Sequence, residues 1–168
     1  EVGLNNGKTE GVRIIFPPAY LNGMDGIFNK SYYDLLPGFD LTVFPSYYEP
    51  WGYTPLESIA FGIPTITTSL AGFGLWAQSL SKRKTDAVRV IQRTDTNFEN
   101  ALDEMTKFIQ DFSEKNKEEI LFARHKSLEI ANLALWKEFF GHYRDAYSTA
   151  LEKSLDRYEL FRDKTQPK

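Results

Sequence analysis

Apolar and polar positions follow two rhythms along this chain. In the first half the apolar residues come in short runs: Val12 to Phe16, Leu41 with Val43 and Phe44, Pro64 to Thr68, and Ala87 to Gln92. Short β-branched or apolar runs bounded by turn residues read as strands. Four strands are therefore expected, at 12–16, 41–44, 64–68 and 87–92. Between them the spacing turns helical. Tyr32, Leu35 and Leu36 predict a short helix over Asn29 to Leu36, broken by Pro37-Gly38. Leu56, Ile59 and Ala60 predict a second, ended by Gly62 and Pro64, and Phe73 to Leu80 reads as a third. Pro17-Pro18 close the first strand, residues 19–28 read as an irregular loop, and Ser81 to Asp86 as a basic surface loop.

The last third is helical throughout. Thr96 and Glu99 have the spacing of a capping box, and Phe98, Leu102, Met105, Ile109 and Phe112 recur at helical period behind it. A second helix is expected from about Lys115 to Leu133, carrying Ile120, Leu121, Leu128 and Ala131. A longer one, about Trp136 to Tyr158, carries Trp136, Phe139, Phe140, Tyr143 and Tyr147. Strands that alternate with helices predict an α/β fold with a parallel sheet and right-handed crossovers, followed here by C-terminal helices.

The chemistry concentrates between Leu41 and Gly74. A strand ends at Pro45-Ser46, an aromatic loop with Pro50 and Gly52 follows, and Thr54-Pro55-Leu56-Glu57 carries the marks of a capped helix start. The first amides of such a helix lack partners and lie at the positive end of its dipole, so the end suits a phosphate. In open α/β sheets ligands gather at the carboxyl ends of the strands. Loops 45–53 and 69–74 both belong there. Gly52, Tyr53 and Thr54 are thus a candidate diphosphate cradle, with Glu49 and Glu57 as carboxylates beside it. A capping role explains Glu57 equally well at this stage; Glu49, in a loop, has no such explanation.

Composition narrows the class. The chain has 168 residues, 42% hydrophobic and 15% aromatic, which suits one domain with a real core. A net charge of -3 with no basic run argues against nucleic acid or an anionic membrane surface as partner. There is no cysteine, hence no disulfide framework and no thiolate metal site. No apolar stretch approaches membrane-spanning length, which makes cytoplasmic the default localisation. His125 and His142 lack metal-ligand spacing, so no metal is expected.

Two glutamates with seven residues between them, Glu49-Pro-Trp-Gly-Tyr-Thr-Pro-Leu-Glu57, and the fuller strings VFPSYYEPWGYTPLE and GIPTITTSLAGFG resemble the glycogen synthases of the animal and fungal type. These are retaining glycosyltransferases of the two-Rossmann (GT-B) architecture. Tyr32-Tyr33-Asp34 and Leu135-Trp136-Lys137 extend the likeness, which is strongest from Tyr32 to Gly74. The resemblance implies a partial Rossmann-like domain over 12–133, from the C-terminal half of such an enzyme. Residues 1–11 read as a linker or edge, and 134–168 as a helical extension. The implied reaction is glucose transfer from UDP-glucose to an α-1,4-glucan, without metal or other cofactor.

The resemblance also assigns roles. Glu49 would lie beside the transferred glucose and stabilise positive charge at the anomeric carbon, not as a nucleophile. Glu57 would bind the ribose hydroxyls, Tyr32 would stack on uracil, and Trp51 and Tyr53 would line the glucose pocket mostly through their backbone. Gly72 would belong to a second glycine loop near the donor. The family's Arg/Lys diphosphate clamp and its N-terminal Rossmann domain, expected as a partner, fall outside these residues, so the chain by itself is expected to be inactive. An arginine cluster that binds glucose 6-phosphate is reduced here to Arg124 and Lys126, so no such activation is expected. A related transferase with another nucleotide sugar or acceptor, and a non-catalytic binding module, stay open as alternatives.

Overall fold

A computed structural model describes residues 11–80 and 86–164. Its centre is a parallel sheet of three strands in the order β1 (Thr42–Val43), β2 (Thr65–Thr68), β3 (Val88–Ile91). Thr42 pairs with Thr65 and Val43 with Ile66 on one side of β2; Thr65 to Thr68 pair with Val88 to Ile91 on the other. Parallel neighbours need crossovers, and helices supply them. α2 (Tyr53–Ala60) links β1 to β2, and α3 (Gly72–Leu80) lies between β2 and β3 in the chain. α4 (Phe98–Ser113), α5 (Lys117–Asn132) and α6 (Trp136–Lys164) follow.

Burial is layered. On one side, Ile66 and Ile91 pack with Ala101, Phe108 and Phe112 of α4 and Ala123 of α5. On the other, Val88 packs with Ile59 of α2 and Phe73 and Ala77 of α3. Ile130 and Ala131 of α5 join this second cluster, so α5 belongs to both. β2 is buried at all four positions, as a central parallel strand should be. Two of its three threonines, Thr65 and Thr68, are tolerable there because their hydroxyls find partners, whereas the buried Thr67 hydroxyl has none among the described residues. Thr42 Oγ1 bonds Thr65 Oγ1 at 3.0 Å and Ser58 Oγ at 2.6 Å, and Thr68 Oγ1 donates to the Ser46 carbonyl at 2.7 Å.

Several expectations need correction. Val12 to Phe16 is not a strand: the segment belongs to no sheet, and Val12 and Phe16 are 70% and 78% exposed. An apolar run becomes a strand only where a neighbour offers its ladder, and no described strand lies beside it. The helix expected over Asn29 to Leu36 is the single turn α1 (Tyr32–Leu35), running into a 3₁₀ turn over Leu36–Gly38. Asn29 takes φ +50° and stays outside; Ser31 starts the helix through a capping box with Asp34. Thr54 does not cap α2. Gly52 occupies the cap position at φ +107°, which only glycine adopts at no steric cost, and the helix begins at Tyr53. The Thr96–Glu99 box is absent too. Asn97 precedes α4, its side chain accepting from the Thr94 amide at 2.7 Å and donating to the Gln92 carbonyl at 2.8 Å. The basic loop read over 81–86 falls mostly outside the described residues.

Candidate functional site

Two loops meet at the carboxyl ends of β1 and β2, and backbone hydrogen bonds stitch them together. The Glu49 amide donates to the Leu70 carbonyl at 3.2 Å and the Gly72 amide to the Glu49 carbonyl at 3.1 Å. The Phe73 amide donates to the Trp51 carbonyl at 2.6 Å. Glu49 and Ala71 form a parallel bridge, a two-residue continuation of the sheet beyond its regular strands. Gly72 is required by this approach: a Cβ there would lie 2.2 Å from the Pro50 carbonyl oxygen. Gly52 is buried against Glu49, Pro55 and Phe73 and turns the chain into α2.

The first turn of α2 is open. Tyr53 and Thr54 are exposed, Pro55 has no N–H, and no described residue caps the helix through its side chain. Amides at such a start are free for an anionic ligand. Glu49 is half-buried in the loop just before. Glu57 stands on the same helix four residues past Tyr53, about 6 Å along its axis. The structure therefore brings Glu49, Gly52, Tyr53, Thr54 and Gly72 to one end of the sheet.

Trp51 faces inward. Its ring packs edge-on against Phe73 and Phe139 and tilts against Trp76, with centroids 6.1, 5.6 and 5.8 Å away. Tyr53, Trp51 and Leu56 line one wall of a cavity of about 400 Å³, whose other wall is Trp136, Phe139 and Tyr143 of α6. That cavity is largely apolar, and neither glutamate lines it.

The Glu57 carboxylate of α2 acts on two tyrosines of α1. Burial first, and then the Glu57 charge, raises the proton affinity of the Tyr32 hydroxyl, which is buried without a hydrogen-bond partner among the described residues. Tyr33, not singled out from the sequence as a site residue, donates its hydroxyl to Glu57 Oε1 at 3.1 Å. That bond to a carboxylate holds the Tyr33 proton more tightly than usual. Arg93 is a second residue without a sequence signal. It is 7% exposed, its guanidinium lies 3.7 Å from the centre of the Tyr47 ring, and its backbone amide donates to Ser69 Oγ at 3.0 Å. It thus ties β3 to both loops. Arg124 donates to the Phe39 carbonyl at 2.6 Å, and Lys126 pairs with Glu129 at 2.6 Å. Among the described residues no group of three His, Asp or Glu could hold a metal, and no helix is long and apolar enough to cross a membrane.

Parallel strands between helices, with glycine-bearing loops joined at the strands' carboxyl ends, define a Rossmann-like α/β protein. The chain belongs to the glycogen synthase family, whose model matches residues 1–168. It is 31% identical over 154 residues to the glycogen [starch] synthase of Neurospora crassa, covering 91% of this chain and 22% of that protein. The human liver glycogen [starch] synthase is 30% identical over 161 residues, covering 95% and 23%. The Caenorhabditis elegans glycogen [starch] synthase is 32% identical over 151 residues, covering 89% and 22%. The chain thus spans less than a quarter of the length of these relatives.

Proposed function

We propose that this chain is the donor-binding, C-terminal part of a retaining glycosyltransferase that moves glucose from UDP-glucose to a growing α-1,4-glucan. One observation carries the reading: the uncapped start of α2 lies at the end of a parallel sheet, with Glu49 held beside it by the bonds between loops 45–53 and 69–74. In the proposed reaction the bond from the anomeric carbon to the diphosphate breaks, and the acceptor hydroxyl oxygen bonds to that carbon on the same face. Its proton passes to the departing diphosphate, so no covalent enzyme intermediate forms. The chain's own groups then have distinct tasks. Amides of Gly52, Tyr53 and Thr54 receive the charge that grows on the leaving group, where oriented donors contribute most. Glu49 faces the positive charge at the anomeric carbon. Glu57 takes the ribose hydroxyls, Tyr32 the base, and Gly72 lets the second loop come close. No metal or cofactor is assigned a part. An N-terminal Rossmann domain would supply the facing wall and the glucan site.

The test is turnover by the full-length protein across several nucleotide sugars, with Glu49→Gln compared to wild type. UDP-glucose is the expected donor. Removing the charge of Glu49 is expected to lower kcat about 10²- to 10³-fold, the scale of losing one electrostatic group in such a site. Unchanged kcat in Glu49→Gln would refute the assignment.

A further inference from the structure

Tyr33 is given no role by the family likeness and is not part of the core, being 52% exposed. It sits in α1, whose orientation is set by the Ser31–Asp34 capping box, with Ser31 Oγ 2.7 Å from the Asp34 carboxylate. Its ring stacks on Phe61 just past the end of α2, centroids 5.9 Å apart and planes 16° apart. It also meets Tyr32 edge-on at 5.3 Å. Phe61, which ends α2, follows Glu57 by four residues and its amide donates to the Glu57 carbonyl at 3.1 Å, so the two share a face one turn apart. The Tyr33 ring thus rests on one rung of that face while its hydroxyl reaches the other, donating to Glu57 Oε1 at 3.1 Å. A glutamate on an open helix face otherwise samples many rotamers, and fixing such a side chain on binding costs affinity. A hydrogen bond that fixes it beforehand removes part of that cost. Only Oε1 is engaged by Tyr33; Oε2 accepts from none of the described residues.

We propose that Tyr33 is a positioning residue for the donor site: its hydroxyl holds Oε1 of Glu57 so that Oε2 is presented to the vicinal hydroxyls of the nucleotide's ribose. The proposal rests on the donor-binding reading of Glu57 given above. It predicts a discrimination as well. The benefit exists only for a donor with a diol, so a 2′-deoxyribose donor should gain nothing from Tyr33.

The experiment is steady-state kinetics on the full-length protein with Tyr33→Phe, Glu57→Ala and the double variant. UDP-glucose and its 2′-deoxyuridine counterpart serve as donors. Phenylalanine keeps the ring and its stack on Phe61, so folding is preserved and only the hydroxyl is lost; thermal unfolding verifies this. Tyr33→Phe is expected to raise the KM for UDP-glucose about three- to tenfold, the range of one ordered side chain, with kcat and acceptor KM within twofold. The effect should vanish on Glu57→Ala and with the 2′-deoxy donor. An unchanged donor KM in Tyr33→Phe, while Glu57→Ala raises it, overturns the proposal and leaves the donor-site reading intact. So does a Tyr33→Phe effect that persists in full on Glu57→Ala. If Glu57→Ala itself leaves the donor KM unmoved, the reading of Glu57 fails and this proposal fails with it.

Discussion

Gly72 shows how much of this site depends on single atoms. An alanine methyl at that position would sit 2.2 Å from the Pro50 carbonyl, a backbone atom that cannot swing aside. The two loops must part, breaking the Gly72 to Glu49 and Phe73 to Trp51 hydrogen bonds. Gly72→Ala is expected to lose about 2–4 kcal/mol of stability in urea unfolding. Gly38→Ala, where nothing lies within 4 Å, should stay within about 0.5 kcal/mol. Asp34 offers a test by titration. Its carboxylate accepts from the Ser31 hydroxyl and amide, so its pKa lies below the ordinary 3.8. A carboxyl that binds its proton less readily folded than unfolded adds stability above the ordinary pKa. That contribution is lost as pH falls through the lowered value. NMR titration should find Asp34 below 3.8, and Ser31→Ala should move it upward, though not fully, because the amide bond survives.

Among the elements, α5 has the capping box that the sequence reading placed elsewhere. Asn116 accepts from the Glu119 amide at 3.0 Å, and Glu119 returns a bond to the Asn116 amide at 2.9 Å. Asn116→Ala should therefore cost about 1 kcal/mol in urea unfolding, while Thr54→Ala, at an exposed position that caps nothing, should leave stability within about 0.5 kcal/mol. Both sites match the same short pattern, so pattern alone could not separate them. What separates them is Gly52, which takes φ +107° at the cap position and starts α2 at Tyr53, before Thr54 can act. The strands at 65–68 and 88–91 were legible as short apolar or β-branched runs, and α4 because Met105 and Phe112, on the helical period of the sequence, pack into the core. Val12 to Phe16 was misread because a strand is a property of a pair. The meeting of loops 45–53 and 69–74 was legible from the strand, glycine, helix order. The Tyr33–Glu57 bond joins residues 24 apart on two different helices, and Arg93 acts through a ring contact with Tyr47. No local spacing encodes either.

At the scale of the molecule, the two glutamates lie outside the walls of the large cavity, which is bounded by α2 and α6 and is mostly apolar. A transfer site must exclude water to make its electrostatics count, and in the function proposed above this chain supplies one side of such a site. The isolated 168 residues are therefore expected to incorporate no detectable glucose from UDP-glucose into glycogen in a radiolabel assay in which the full-length protein is active. Turnover by the short chain would contradict the proposal that a facing domain completes the site. The sheet has one more consequence, for how the protein comes into being. Thr42 pairs with Thr65 and Thr65 with Val88, the same 23-residue interval each time. No rung joins near neighbours, so no hairpin can zip shut early, and each pairing must close a long loop first. On the ribosome β1 stays unpaired until all of α2 and β2 have emerged, at about 5–20 residues per second. For that interval its backbone N–H and C=O groups have no strand to pair with, and they are open to pairing with another chain.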